Sequence, residues 1–286
     1  MTADPRCIQV EGVELAVWER AGSDPAVLFC HATGFHARCW DYIVELLPAV
    51  RVVAIDMRGH GRSTKPAPPI PWKQFGRDVA AVARELGVRD LIGVGHSMGG
   101  HSLVVAAAQY PEAFGELILL DPVILPRGAY IGPYEEPHYA RKRRNRWSSP
   151  QAMIERFRER APFDKWNARV LNDYCEYGLL PDGDEFVLAC PPEIEGAIYE
   201  QSRARESDPS QEIADLAIPV EVVRANAKTT DDPGRDMTAS PTDPALASRF
   251  TQGRELLVPF THFIPMEAPE FVAERIAEAI RRRRSA

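Results

Sequence analysis

The chain predicts an α/β fold: a mainly parallel, doubly wound sheet with a helical cap inserted late in the chain. Three observations carry that expectation. Up to Leu120, short apolar runs alternate with amphipathic helical stretches, the rhythm of successive βαβ units. One junction in that rhythm is the sharp, glycine-rich Gly95-His96-Ser97-Met98-Gly99-Gly100. From about Val123 the rhythm breaks into proline and glycine punctuation, and it resumes at Ile218. A chain of 286 residues has room for one such core, expected over 1–122 and 214–286, with the cap over 123–213.

The elements follow in order. Cys7 to Trp18 breaks its apolar residues around Gly12 and reads as an antiparallel hairpin. Val27-Leu28-Phe29-Cys30 and Val52-Val53-Ala54-Ile55 read as strands, and Trp72 to Leu86 as an amphipathic helix. Leu91-Ile92-Gly93-Val94 is a strand, the glycine turn follows it, and the helix formers Leu103 to Gln109 come next. Gly115 to Leu120 is a further strand, ending at Asp121-Pro122. Beyond the Pro/Gly loop lie a basic helical run, Tyr139 to Trp147, a second helix near Pro150 to Arg160, and more helix to about Gln211. Ile218 to Val223 and Leu256-Leu257-Val258 resume the sheet, and Glu267 to Ile280 forms a last amphipathic helix. Arg281-Arg282-Arg283-Arg284 reads as a frayed tail that favours the negative end of that helix.

Composition bounds the function. A net charge of -7 argues against general nucleic-acid affinity. No apolar run approaches the roughly 20 residues needed to span a bilayer, and the N-terminus lacks the apolar stretch of a signal peptide. Five cysteines without C-x-x-C spacing argue against a metal site or a disulfide scaffold, so a cytoplasmic chain with reduced thiols is expected. Cys30, at the end of its strand, reads as buried packing. Neither a cofactor nor a metal is called for.

The chemistry concentrates at the glycine turn. Strand, sharp turn and helix with a serine at the apex is the nucleophile-elbow pattern G-x-S-x-G: the strained turn lifts the Ser97 hydroxyl clear of the strand end, and small neighbours make room for it. A serine hydroxyl needs a base. His262, in Pro259-Phe260-Thr261-His262-Phe263, stands in a loop after the last strand and before the last helix. Attack on a carbonyl also needs donors for the developing oxyanion. The N–H of Met98, directly after the serine, is one. The loop His31-Ala32-Thr33-Gly34-Phe35 after an early strand offers the other.

These segments, with Asp56-Met57-Arg58-Gly59-His60-Gly61-Arg62-Ser63, resemble the α/β-hydrolase fold of serine hydrolases, esterases and lipases among them. The last segment is similar to the family's D-x-R-G-x-G-x-S turn, which is structural there. His31-Ala32-Thr33 is similar to the family's His-Gly-x motif, whose third residue gives the second oxyanion donor; that match implies Thr33. Ala32 departs from the usual glycine, which leaves Gly34 and Phe35 open as donors, and His31 reads as a brace for the loop. The resemblance places the triad's acid after the strand Ile218–Val223, where the Gly-x-x-Asp spacing falls on Lys228, which cannot accept a bond from imidazole. Asp121, fixed at the end of its own strand, is the choice taken here, with Asp231 or Asp232 on a lengthened loop as the alternative.

The implied activity is cofactor-free cleavage of a carboxylic ester by Ser97, His262 and Asp121, with Thr33 and Met98 holding the oxyanion. A serine at the elbow disfavours epoxide hydrolase and haloalkane dehalogenase chemistry, which would call for aspartate there. A C–C bond hydrolase, lactonase, thioesterase or amidase uses the same constellation. A ligand-binding or signalling protein on the same fold is the alternative of another class. The expected partner is a small ester-like molecule, apolar or aromatic, because the inserted region is rich in rings (Tyr134, Tyr139, Trp147, Phe157, Trp166, Tyr174). The run Arg141-Lys142-Arg143-Arg144-Asn145-Arg146 reads as a solvated helix face, with a grip on a substrate carboxylate as its functional alternative.

Overall fold

A computed structural model describes residues 1–227 and 238–285. Along the chain, strands β1 (Arg6–Val10) and β2 (Val13–Arg20) form the expected hairpin. β3 (Ser23–Cys30), α1 (Asp41–Leu46), β4 (Val50–Ile55), α2 (Trp72–Glu85), β5 (Leu91–His96), α3 (Met98–Gln109) and β6 (Phe114–Leu120) follow. Between β6 and the next strand of the main sheet lie β7 (Arg146–Trp147), α4 (Pro150–Phe157), α5 (Ala168–Tyr177), β8 (Leu179–Asp182), β9 (Glu185–Leu188), α6 (Pro192–Glu200) and α7 (Ser210–Asp215). β10 (Val220–Ala225), β11 (Gly253–Val258), α8 (Ile264–Glu267) and α9 (Pro269–Ser285) close the chain.

The main sheet has the order β1-β2-β4-β3-β5-β6-β10-β11, antiparallel at β1 and β2 and parallel from β4 onward. The central strands are apolar on both faces, as a parallel sheet covered on both sides requires. Alternate residues go to opposite layers. Leu28 and Cys30 of β3, with Val53 and Ile55 of β4, pack under α2 and α3 against Phe75, Val79 and Val104. Val27 and Phe29, with Val52 and Ala54, pack under α1 and α9 against Trp40, Ile43 and Ile276. Helix α3 is buried from Met98 to Ala107, so it is apolar nearly all round.

The segment between β6 and β10 departs from an all-helical reading. Its helices share it with a three-stranded sheet, β7-β9-β8. The stretch Tyr139 to Trp147 is not a helix: only Tyr139–Lys142 makes a short 3-10 turn, and Arg146–Trp147 pairs with β9. Lys142, Arg144 and Arg146 are exposed, as a solvated face requires, but much of the run is also ion-paired. Arg141 is paired with Glu193 and Glu200, Arg143 with Glu195 at 2.6 Å, and Arg146 with Asp182 at 2.6 Å. Acids dispersed over β8, β9 and α6 meet the basic run from one side, a match invisible in local periodicity. The segment builds a third apolar cluster, in which Trp147, Met153, Trp166 and Tyr174 meet Phe35 and Phe263 from the loops of the main sheet.

The arginines at the C-terminus also differ from expectation. They extend α9 through Ser285, and three of them reach the main sheet and its loops. Arg282 pairs with the buried Glu116 at 2.5 Å, Arg283 with Asp90, and Arg284 donates to the Ser23 hydroxyl at 2.7 Å. Partners far away in sequence convert a tail into helix.

Candidate active site

Four loops at the carboxyl ends of parallel strands converge here: those after β3, β5, β6 and β11. This is where an open α/β sheet offers a crevice. β5 ends at His96, and α3 starts at Met98, so Ser97 alone makes the turn, with φ 57° and ψ −119°. A side chain rarely adopts that backbone; it costs of order 1–3 kcal/mol and is held by the packing around it. Gly99 shows how tight that packing is. A Cβ there would lie 2.1 Å from the Cys30 carbonyl oxygen, so only glycine lets α3 approach β3.

His262 lies between Ser97 and Asp121. Its Nδ1 is 2.7 Å from Asp121 Oδ2, and its Nε2 is 3.1 Å from Ser97 Oγ. A carboxylate can only accept, so Nδ1 carries the proton and Nε2 is left with a lone pair toward the serine. The loop is fixed through its backbone as well: the His262 N–H donates to the Thr238 carbonyl at 2.8 Å, and the His262 carbonyl accepts from His96 Nε2 at 2.8 Å.

Asp121 is fully buried at the end of β6, with φ 44°. Its second oxygen, Oδ1, accepts from the Ala225 N–H at 2.9 Å and the Ser240 hydroxyl at 2.6 Å, while the Thr242 hydroxyl, 3.2 Å away, has its single proton nearer the Pro122 carbonyl at 2.8 Å. Both oxygens of the buried carboxylate are thus hydrogen-bonded, one by these donors and the other by histidine. Lys228, Asp231 and Asp232 lie outside the described residues.

The loop after β3 carries Thr33, buried beside the elbow, its hydroxyl 3.3 Å from Met98 Sδ. The backbone accounting separates the three donors left open by the sequence. Gly34 N–H donates to His60 Nε2 at 3.0 Å, and Phe35 N–H to the Ala32 carbonyl at 3.1 Å. Thr33 N–H makes no hydrogen bond among the described residues. Met98 opens α3, so its N–H belongs to the first turn, which has no partner within the helix. His31 accepts from the Met57 N–H at 2.9 Å and donates to the Ala32 carbonyl at 2.7 Å, bracing this loop against the turn after β4. Burial pushes His31 down to about 3 and holds His60 and His96 well below the ordinary histidine range, so all three stay neutral fixtures. In that turn, Asp56 accepts from the Ala37 N–H, the Trp18 indole and the Arg62 N–H.

Beside the elbow opens a cavity of about 350 Å³. Thr33, Phe35 and Phe263 form one part of its wall, and the inserted segment contributes Trp147, Phe157 and Trp166. Arg143 is held there by Glu195 and by the Tyr174 hydroxyl at 2.8 Å. Burial raises the Glu195 carboxyl above the usual range, while the Arg143 guanidinium opposes that shift.

Sequence reasoning singled out Ser97, His262, Asp121, Thr33 and Met98, and the fold brings all five to one crevice. It assigned nothing to His96, Ser240 or Thr242, because one hydrogen bond across 166 residues (His96 to His262) or about 120 (the two hydroxyls to Asp121) leaves no local pattern.

The profile of the alpha/beta hydrolase family matches residues 27–275. The chain belongs to this family. Among its relatives is 2-(acetamidomethylene)succinate hydrolase of Mesorhizobium japonicum, 32% identical over 117 residues, which are 41% of this chain and 42% of that protein. Lipase LipV of Mycobacterium tuberculosis is 35% identical over 123 residues, 42% of this chain and 46% of that one. The matched parts thus span less than half the length of these curated relatives. Among solved structures, E-2-(acetamidomethylene)succinate hydrolase superposes with a TM-score of 0.72 at 23% identity, covering 96% of this chain and 97% of that one. A thermophilic esterase from Thermogutta terrifontis gives 0.68 at 22%, covering 98% of both. At those identities the structural likeness speaks for the fold. Among the described residues, no helix is long and apolar enough to cross a membrane.

Proposed function

We propose that the chain is a cofactor-free serine hydrolase of carboxylic esters working through an acyl-enzyme. The observation that carries this reading is the hydrogen-bonded series Ser97–His262–Asp121, with 3.1 and 2.7 Å between successive polar atoms. Ser97 Oγ attacks the ester carbonyl as His262 Nε2 takes its proton. Asp121 keeps Nδ1 protonated and stabilises the imidazolium. The N–H groups of Thr33 and Met98 hold the oxyanion, a role supported by their having no hydrogen-bond partner among the described residues. The imidazolium protonates the departing alkoxide, and water activated by the same nitrogen then releases the acid. The aromatic cavity beside Thr33 suits an apolar or ring-bearing substrate. We assign the segment 123–213 the part of a cap over this site, and four buried free thiols support a reducing, cytoplasmic setting.

Thioesters, lactones and C–C bonds can be opened by the same groups, and the names of the relatives include a lipase and a 2-(acetamidomethylene)succinate hydrolase. The 2.7 Å contact of Asp121 with His262 favours turnover over a binding protein on the same fold.

The test is labelling by a fluorophosphonate together with turnover of 4-nitrophenyl esters. Wild type is expected to label at Ser97, and Ser97→Ala to lose labelling and at least about a thousandfold in kcat/KM. Turnover of the variant within about tenfold of wild type would sink the assignment.

A further inference from the structure

The charges around the cavity are out of keeping with the rest of the chain. The whole sequence carries -7, yet the cavity wall includes Arg143, Arg144, Arg156 and Arg160 against the single acid Glu195. Glu195 is already taken by Arg143, at 2.6 Å. Arg144 lies on the Trp147 ring at 4.4 Å and gives its Nε to the Arg146 carbonyl. Arg156 and Arg160 form no ion pair among the described residues. The rest of the wall is largely aromatic, and the rings run without a break from the catalytic end. Phe35 lies 6.0 Å from the His96 ring and 5.7 Å from Trp166, Trp166 lies 4.7 Å from Phe163, and Phe163 stacks on Phe157 at 4.2 Å. Arg156 precedes Phe157 in α4, so the cationic group stands at the far end of this aromatic series.

Resting on the ester-hydrolase reading, we propose that the substrate is an anionic ester: an apolar or aromatic body with a carboxylate remote from the scissile bond, gripped by Arg156 and Arg160. The rings pack the body, and the guanidinium groups, without an ion pair among the described residues, take the carboxylate through charge-assisted hydrogen bonds. Both residues are exposed, so a neutral substrate would leave the two guanidinium groups in water and their interaction unused.

The experiment compares kcat/KM for three probes: neutral 4-nitrophenyl butyrate, the mono-4-nitrophenyl ester of glutaric acid, and 4-carboxyphenyl butyrate. The last two put the carboxylate on the acyl and the alcohol side. At low ionic strength one of the two charged esters is expected to lead the neutral ester by about tenfold or more, as a charge-assisted bond at a water-exposed site provides. Salt at about 0.5 M should narrow that lead, and the double variant Arg156→Ala, Arg160→Ala should bring the ratio near unity, mainly through KM. A neutral ester that matches or beats both charged ones, or a lead that survives the double variant, overturns the proposal. A second measurement keeps this apart from the chemistry at Ser97: quenching of Trp147 and Trp166 fluorescence by benzoate against benzyl alcohol. Preference for benzoate in wild type but not in the double variant upholds the anionic site even if no ester is cleaved, and equal binding of the two in wild type removes it.

Discussion

At the residue scale, the position of Asp121 makes a directional prediction. The Ala225 N–H, which can only donate, and the Ser240 hydroxyl converge on Oδ1, so an asparagine in its place must put its amide oxygen there. Its NH₂ then faces His262 Nδ1, which can bond to it only as an acceptor, and the ring proton moves to Nε2, opposite Ser97. Asp121→Asn is therefore expected to keep the fold and to lower kcat by roughly 10³–10⁴. Steady-state kinetics with a neutral ester, beside an unchanged thermal midpoint, would check it; near-normal turnover would return the acid's role to Asp231 or Asp232. The serine and the histidine were readable because each sits in a local pattern that chemistry constrains: a turn with glycine neighbours, and a loop between the last strand and the last helix. The acid was readable only as a choice, since a carboxylate needs nothing local except a fixed backbone. What selects Asp121 is the convergence of β10 and the Ser240–Thr242 stretch, a long-range property.

At the scale of elements, the elbow depends on contact between α3 and β3. Gly99→Ala would drive a methyl group into the Cys30 carbonyl, and backbone on both sides leaves no flexible atom to yield. The variant is expected to lose roughly 1–3 kcal/mol of stability, and labelling of Ser97 should slow because α3 can relax only by moving its first turn. Urea unfolding with a labelling time course tests both; an unchanged midpoint and rate would contradict the close packing. The same scale shows what the sequence withheld. The central strands of the main sheet were legible because burial on both faces writes a continuous apolar run, whereas the edge strand β11 is largely exposed and was legible only over Leu256–Val258. The segment 123–213 was read as helical, and the sheet β7-β9-β8 was missed, because strands of two to four residues such as Arg146–Trp147 are too short to display a period. The individual ion pairs of the arginine runs were not legible for a related reason: their partners, Glu116, Asp90, Glu195 and Glu200, lie far away in the sequence.

At the scale of the molecule, the buried histidines set the response to acid. Burial lowers His31 to about 3 and His101 to about 4, and it also lowers His36, His60 and His96. In the unfolded chain each takes its proton near 6.5, so between that value and the folded one the unfolded state binds more protons, and stability falls as pH falls. At pH 5 the loss is up to roughly 2 kcal/mol for each such histidine. Asp173, raised to about 6 mainly by burial, works in the opposite direction, because the folded protein protonates it first. Asp41, Asp78 and Glu195 are raised by burial as well and act like Asp173, but the lowered histidines, His138 among them, outnumber these four carboxyls and have their ordinary value inside the interval, so they decide the sign. The thermal midpoint is expected to drop between pH 7 and pH 5, and a flat or rising midpoint over that interval would contradict the neutral, buried assignment.

The hydrogen bond from the Ala225 N–H to Asp121 has a bearing on when the site comes into being. It joins the end of β10 to the end of β6 across the whole inserted segment, and His262 arrives later still in the chain. The elbow and Asp121 come from the first half of the polypeptide, but the base His262 and the Ala225 N–H that holds the acid are supplied by its last third. A growing chain that has made the elbow therefore carries an ordinary alcohol at Ser97. Reactivity on the proposed mechanism switches on only when the closing strands dock, which protects an unfinished chain, and its surroundings, from premature chemistry.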